Sequence, residues 1–453
     1  MTERTLVLVG VLAGLGCWPA AAQNADEDFK VYSDAPRLLL GKQRLRLLQR
    51  EKERESVRWQ QFDTLVTGGA ALPEPGFALA LHYEVTGAAA SGKKAVEWAL
   101  GDKADDLRQL ALVFDWCGKA MSAAQASDLS KKILRILNAR PLADDARRQS
   151  ARALAAIAIA DQLPDHGEKI LKEIVEDWWR ALRLKNLASG RPPFQREDTY
   201  AMYEMFHAVR DNLRLDMREG APEYFEQLPV DHLVSHYPPP FSAPENEFHV
   251  PAFVRSGTPD LTEAALSRAA ELAMVAFDNN AQEVQFVQGW LMEDRFIMRG
   301  ALGTPYEFLW ANPYQPGLSY EKLPLVFHDA KTGRLFARTS WEEDATWMGF
   351  FDGQLQLFRD GHLQVLKAGS AAKPVRVGDT QLLTAPLPAT DGAIRFSAES
   401  ETLFLLGLAP SAPYDVEVDD QELWQETTDV GGTLKLTLPP ETQAGVRVRK
   451  RVE

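Results

Sequence analysis

Apolar residues recur three and four apart along most of the chain up to Gly300, the spacing that gathers them on one stripe of a helix. Leu107, Leu110, Ala111, Phe114 and Cys117 make such a stripe within Asp105–Met121. Ser122 and Gln125 form a capping box, in which each side chain bonds the other's backbone amide, and open a helix through Leu129, Ile133, Leu134 and Leu137 that ends near Pro141. Asp144 or Asp145 caps a third helix with the small apolar face Ala153, Leu154, Ala156, Ile157 and Ala160. Pro164 to Gly167 breaks it, and Glu168 to Leu184 makes a fourth. A basic helix is expected over Lys42–Glu55, and further ones over Glu197–Met217, Asp260–Phe277 and Ala281–Met298. The short connections imply antiparallel neighbours.

The pattern changes near Gly300. Pro305, Pro313, Pro316 and Pro324 mark a crossing linker, with Trp310 and Tyr314 packing it against the helices. Beyond Leu325 the chain reads as short strands: Arg334–Thr339, Ala345–Phe351, Gln354–Phe358, His362–Lys367, Ala393–Ser397, Thr402–Leu408, Tyr414–Val418, Thr433–Leu438 and Gly445–Val448. Asp352-Gly353 supplies the positive φ of a tight hairpin. The expectation is a multidomain α+β chain: helical hairpins over 35–300, fitting an incomplete α/α toroid or a plain bundle, a linker over 301–324, and an antiparallel β-sandwich over 325–453. No fixed-period repeat or low-complexity tract interrupts it.

At 453 residues, two domains are the natural division, and 45% hydrophobic with 25% charged residues describes a folded chain. Arg4, the apolar run Leu6–Leu15 and Ala20-Ala21-Ala22 before Gln23 read as a cleavable signal peptide over 1–22, which implies a periplasmic or extracellular protein. Lipidation at Cys17 is the alternative, although Gly14-Leu15-Gly16 makes a poor lipobox. No segment is long enough for a membrane span. Cleavage leaves Cys117 alone, in an apolar run that suits an inert buried thiol. The net charge of −14 argues against a nucleic-acid partner, and it requires a locally basic cleft for any acidic polysaccharide. Oligomeric state is not legible.

The densest chemistry lies in Phe194–His207, after the loop Ser189–Pro193. Helical spacing puts Tyr200, Tyr203 and His207 on one face, with Arg196 beside a helix N-terminus that favours anions. Equally, Tyr200, Tyr203 and Phe206 read as an aromatic core stripe, with His207 a hydrogen-bonded helix residue. Arg148 and Gln149 precede the small-residue run of the third helix. His232 and His236 are four apart, but they lack the Glu of a metalloprotease motif, and Pro238-Pro239-Pro240 makes them loop histidines at a helix end. His328, Asp329, Asp360 and His362 match no metal-ligand spacing, and Gln354 and Gln356 read as a strand's solvent face. Glu197 and Asp198 are adjacent, so they are not the separated carboxylate pair of a glycosidase by themselves.

Several stretches carry a family resemblance. Pro36-Arg37-Leu38-Leu39-Leu40, Leu110–Trp116, Glu197–Tyr203 and Leu323–Trp347, the last with Arg338-Thr339-Ser340-Trp341 and Asp344–Trp347, resemble heparinase II/III-like polysaccharide lyases. The resemblance implies β-elimination on a uronic-acid glycan. Tyr200 or Tyr203 would be the acid/base, His207 would assist, and Gln149 and Arg196, with Arg148 and Glu197, would bind substrate. The family's β-domain His-x-His is absent: Gln354-Leu355-Gln356 stands there. No cofactor is implied, although some such lyases hold a structural divalent metal in the β-domain. The partner would be an acidic polysaccharide or oligosaccharide. A non-catalytic glycan-binding or scaffold protein of the same fold, and a glycoside hydrolase, are the alternatives.

Overall fold

The computed structural model describes residues 28–139, 144–242, 247–252, 260–367, 373–385, 392–419, 422–438 and 444–451. The expected signal peptide lies outside them. Helices α1 (Lys42–Glu53), α2 (Val57–Thr67), α3 (Pro75–Thr86) and α4 (Ala89–Leu100) come first. They are followed by α5 (Leu107–Trp116), α6 (Ala123–Ala139), α7 (Ala146–Ala158) and α8 (Pro164–Lys172). A π-helical stretch, Glu173–Arg183, and the single turn α9 (Lys185–Ala188) lead into α10 (Thr199–Leu213) and α11 (Pro222–Val234). The hairpin β1 (His236–Ser242) and β2 (Glu247–Pro251) precedes α12 (Leu261–Phe277), α13 (Gln282–Glu293) and α14 (Gly300–Trp310).

Local chemistry sets many of these ends. Ser122 and Gln125 exchange the two capping-box bonds at 2.9 and 3.3 Å. Asp106, Asp145 and Asp260 cap α5, α7 and α12 through their side chains. Pro75, Pro164 and Pro222 begin α3, α8 and α11, where a missing N–H costs no intrahelical bond. Helices α3, α5, α7, α10, α12 and α14 pack each on the next, and α14 returns to α2 and α3. Leu38–Leu40 enter the core beside them, with Leu38 O accepting from Trp116 Nε1 at 2.8 Å.

Two expectations fail here. Helix does not stop at Gly300, because α14 occupies the first half of the expected linker. Pro305 inside it removes a backbone donor and costs about 3 kcal/mol. Burial of Tyr306, Phe308, Leu309 and Trp310, at about 1.5–3 kcal/mol for each large side chain, outweighs that. His236 is not a loop residue either. It starts β1, whose prolines are tolerated because the ribbon has only two strands and each keeps a free edge.

The remaining strands are β3 (Val326–Asp329), β4 (Arg334–Arg338), β5 (Trp347–Phe351), β6 (Gln354–Arg359) and β7 (His362–Leu366). After them come β8 (Val375–Val377), β9 (Thr380–Thr384), β10 (Ala393–Ala398), β11 (Thr402–Leu406), β12 (Pro413–Val418), β13 (Glu422–Thr427), β14 (Leu434–Thr437) and β15 (Ala444–Lys450). Strands β3 to β7 form one antiparallel meander, turned at Asp352-Gly353 (φ 48° and 74°) and at Asp360-Gly361 (52° and 75°). The other two sheets run β14-β11-β9-β8 and β10-β15-β12-β13. A helical region joined to largely antiparallel sheets is as expected. Two refinements apply: β9 and β11 pair in parallel, and three sheets stack where a two-sheet sandwich was expected.

The stacking follows from faces. Met348, Phe350, Leu355 and Leu357 meet Leu382, Phe404 and Leu406 of the middle sheet, whose opposite face, Leu403, Leu405, Leu434 and Leu436, meets Val416, Val446 and Val448. The outer face of the meander is covered too. Phe336, Trp347, Phe351 and Phe358 pack on Val234 and Ala252 of the helical region. Trp347 Nε1 donates to Val234 O at 2.9 Å, and Arg334 bridges Asp231 of α11 (3.2 Å) to Asp352 (3.0 Å). Gln356 is therefore not on a solvent face. It is fully buried and its Oε1 accepts from Tyr237 OH at 2.8 Å, because both faces of β6 are covered. Among the described residues, no helix is long and apolar enough to cross a membrane.

Candidate functional site

Helix α10 is buried almost all round, and its candidate residues serve different surroundings. Tyr200 OH donates to Glu204 Oε1 at 2.9 Å and accepts from Trp310 Nε1 (3.2 Å) and Arg108 Nη2 (3.3 Å). Arg108 grips Glu204 with two bonds of 2.7 and 2.8 Å and reaches Glu74 at 3.2 Å; Tyr306 OH closes the set on Glu74 at 2.6 Å. Tyr203 instead meets Phe206 and Phe277 edge-on and lines a separate depression with Asp216 and Arg218. His207 Nε2 bonds Ala273 O at 3.0 Å and its ring lies 4.6 Å from Trp310. Tyr200 and His207 thus share Trp310, and Tyr203 stands apart.

Their ionisation is governed by burial. Burial and the Glu204 carboxylate push the Tyr200 phenol well above its usual value, and burial raises Tyr203 too. Burial, then the Arg44 charge, holds His207 well below the usual imidazole range. Neither phenol has the lowered pKa that acid/base exchange near neutral pH favours. Gln149 is fully buried and accepts from Arg152 Nη1 at 2.8 Å, while Arg148 is exposed. Glu197 is half-buried, its carbonyl accepting from Arg147 Nη2 at 2.8 Å. Burial raises the Cys117 thiol to about 12.

Arg196 belongs to a different cluster. It donates to Ser267 Oγ (3.0 Å), His232 O (3.1 Å), Ser235 Oγ and Glu271 Oε1 (3.1 Å). Glu271, fully buried on α12, also faces His236 Nε2 at 3.2 Å and Arg268 Nη1 at 3.3 Å, with His232 Nδ1 3.7 Å away. Arg268 pairs further with Asp294. Burial alone would raise the Glu271 carboxyl; His236, His232 and Arg268 overcome it and hold it well below the usual range. Burial lowers His236 to about 4, and His232 and His249 to about 3, so all three rings are neutral at neutral pH.

This cluster backs a cavity of about 260 Å³ where the end of α11, the β1–β2 hairpin and α13 meet β4 and the segment after it. Its walls include His236, His249, Trp290, Tyr320, Arg338 and Trp341. The rings of His236 and His249 lie 4.5 and 5.4 Å from that of Trp290. Opposite, Trp341 meets Tyr320 edge-on at 5.0 Å, and the Arg338 guanidinium sits 4.1 Å over Trp341. Burial lowers Arg338 to about 10, leaving it cationic at neutral pH, and burial with Glu293 raises Tyr320. His236 Nδ1, His249 Nδ1 and Trp341 Nε1 are buried with no hydrogen-bond partner among the described residues. Buried polar atoms of this kind are satisfied by bound water or by a ligand, or are held under strain. The rim is acidic: Glu293, Glu321, Glu342 and Glu343 are exposed around it.

Of the residues singled out from the sequence, Arg196, His232 and His236 converge on this junction, and Arg338 and Trp341 come from the stretch that carries the resemblance. His249, Glu271, Trp290 and Tyr320 were missed. Glu271 had a signal: Arg268 and Glu271 are charges set three apart in the otherwise small and apolar run Ala264–Phe277. The β-region candidates for a metal do not assemble. His328 Nε2 pairs with Asp429 at 2.8 Å, and Asp329 holds Thr332 and the Lys331 amide. Among the described residues, no group of three or more His, Cys, Asp or Glu is placed to hold a metal ion.

No protein-family model matches the chain, and no curated protein matches it. Among solved structures, a glycoside hydrolase aligns over 94% of this chain and 77% of its own, at 9% identity and a TM-score of 0.34. A likeness that weak carries neither fold nor chemistry to this chain.

Proposed function

We propose that this chain is a secreted, polysaccharide lyase-like enzyme that acts on a uronic-acid glycan in the cavity at the helix–sheet junction, rather than along α10. The observation that carries the reading is the neutral His236 imidazole, with a buried nitrogen that has no partner among the described residues, in an aromatic-walled cavity that also presents Arg338. The resemblance of Arg338–Trp347 to heparinase II/III-like lyases points to the same place. The succession of α3, α5, α7, α10, α12 and α14, closing on α2 and α3, supports an incomplete α/α toroid over a plain bundle.

β-Elimination asks for three functions. Arg338 pairs with the substrate carboxylate and makes the neighbouring C–H more acidic. His236 takes that proton, a C=C bond forms as the β C–O bond breaks, and the departing oxygen takes a proton from the His236 imidazolium or from solvent. Trp341, half-buried in the wall, adds aromatic surface against which the C–H side of a sugar ring can lie. The acidic rim repels densely charged chains, so the substrate is a glycan whose uronate carboxylates are spaced by neutral sugars.

Incubation with alginate, pectin, chondroitin and heparan, followed by ultraviolet detection of unsaturated ends, tests this. Unsaturated product on the least densely charged of these glycans, abolished in Arg338→Gln, is expected. A second reading, hydrolysis, draws on the rim carboxylates Glu293, Glu342 and Glu343 and would show as saturated reducing ends. Binding without cleavage by folded protein would establish a glycan-binding protein in place of either enzyme.

A further inference from the structure

An imidazole can accept a proton on only one ring nitrogen at a time, and the hydrogen bond made by the other nitrogen decides which. His236 Nε2 lies 3.2 Å from the Glu271 carboxylate, an obligate acceptor, and 3.4 Å from Arg196 Nη2, an obligate donor. The two contacts ask for opposite tautomers. Arg196 already has acceptors in Glu271, Ser267, Ser235 and the His232 carbonyl, whereas its contact with the ring is the longest that it makes. A proton on Nε2 satisfies the carboxylate and leaves Nδ1 bare. Nδ1 is the nitrogen that is buried without a partner among the described residues, on a residue of the cavity wall. Glu271 is held rigidly for this role, with no exposed surface and with Arg196 and Arg268 on its two oxygens.

We infer that Glu271 is a positioning residue: through Oε1 it holds His236 in the tautomer that keeps Nε2 protonated and Nδ1 free to take a proton at the junction cavity. The inference rests on the reading of that cavity as the reaction site. It assigns a role to a residue on α12, an element that contributes no side chain to the cavity wall. The remaining groups about the ring agree with it. His232 lies on the Glu271 side, and His249 and Trp290 pack as neutral rings. Arg268 is occupied by Glu271 and Asp294, and Arg338 donates to Ser340 O at 3.0 Å. None offers His236 Nδ1 a bond of its own. The step stays balanced: the carboxylate keeps its charge, and the proton abstracted by Nδ1 makes an imidazolium that Glu271 stabilises across the ring.

Long-range nitrogen–proton NMR on the intact protein, with His236→Asn to identify the resonance, reads the tautomer without any substrate. The expected result between pH 6 and 8 is a protonated Nε2 and a bare Nδ1; a proton on Nδ1 overturns the inference. In Glu271→Asp, whose shorter side chain withdraws from the ring, the expected outcome is a mixture of tautomers and a kcat lower by about 10²-fold with KM little changed. An unchanged tautomer and kcat in a folded Glu271→Asp protein overturns it as well. Absence of any glycan cleavage by the wild type is a failure of the proposed function, and the NMR result separates that from a failure here.

Discussion

Two buried polar clusters make an instructive pair. Around Arg108, the side chains of Glu74, Tyr200, Glu204, Tyr306 and Trp310 all have partners. Around Glu271 the carboxylate is equally well served, but His236, His249 and Trp341 on the cavity side each keep a buried atom with no partner among the described residues. Both clusters hold Tyr, Glu, Arg or His in helical surroundings, so residue type does not tell them apart. Completeness does. A saturated network fixes helices against one another, whereas unmet donors and acceptors in a cavity have something left to bind. Tyr200, the more chemical-looking residue in the sequence, falls in the saturated one.

The largest expected effect comes from breaking the saturated cluster. Glu204→Leu would take from the Arg108 guanidinium, whose side chain is only 14% exposed, its doubly bonded partner and leave it a single ion pair, with Glu74. Loss of a buried partner of this kind costs about 3–5 kcal/mol. Urea unfolding should show that loss, with glycan cleavage per folded molecule unchanged. A change below about 1 kcal/mol would mean that the network is not the structural tie described here. In the junction the order reverses. Arg338→Lys keeps the charge but loses the planar fork, and kcat/KM should fall about 10–100-fold with little change in the unfolding midpoint. Equal activity of the two proteins would remove Arg338 from the site.

The contrast also explains what the chain showed in advance. The Ser122–Gln125 capping box, the Asp145 cap and the Asp352-Gly353 turn are local, and they appear as expected. The β1–β2 hairpin and α14 were hidden by prolines, whose local penalty is outweighed by packing with distant elements. Gln356 was misread because alternation identifies two faces of a strand and not what covers each. The junction was the least legible part. His236, Glu271, Trp290 and Arg338 stand on four elements separated by long stretches of chain, and no spacing links them to one another. On α10, spacing did place Tyr200 and His207 near each other, but only the fold shows that their polar atoms are already spoken for.

Acid acts on the junction histidines and on two buried carboxyls outside both clusters with opposite sign. His232, His236 and His249, with folded values of about 3 to 4, lie below the roughly 6.5 of an unfolded imidazole. Between those values the unfolded chain binds protons that the folded chain refuses, so their contribution to stability falls as pH drops from about 6.5 to 4. Asp115 and Glu307, raised by burial to about 6 and about 7, act oppositely, losing stability as pH rises through those values. The useful quantity is therefore a difference between proteins. His236→Asn should flatten the stability-versus-pH slope near pH 5 by up to about 1.4 kcal/mol per pH unit. Tyr200→Phe should leave that slope as it is, and a slope change there would couple the two clusters.

The smallest change is also the most pointed. Tyr200→Phe removes one hydroxyl, which donates to Glu204 and accepts from Trp310 and Arg108. Arg108 retains its two bonds to Glu204, so the loss should be about 1 kcal/mol, near the net value of one hydrogen bond. If the phenol were the acid/base of an elimination, the same substitution would reduce kcat by about 10²–10⁴-fold while stability hardly moved. Denaturant unfolding and a cleavage assay on one protein preparation therefore return opposite patterns for the two roles. A saturated hydrogen-bond network predicts the first, because a hydroxyl with a carboxylate in front of it and two donors behind has no free direction in which to meet a substrate.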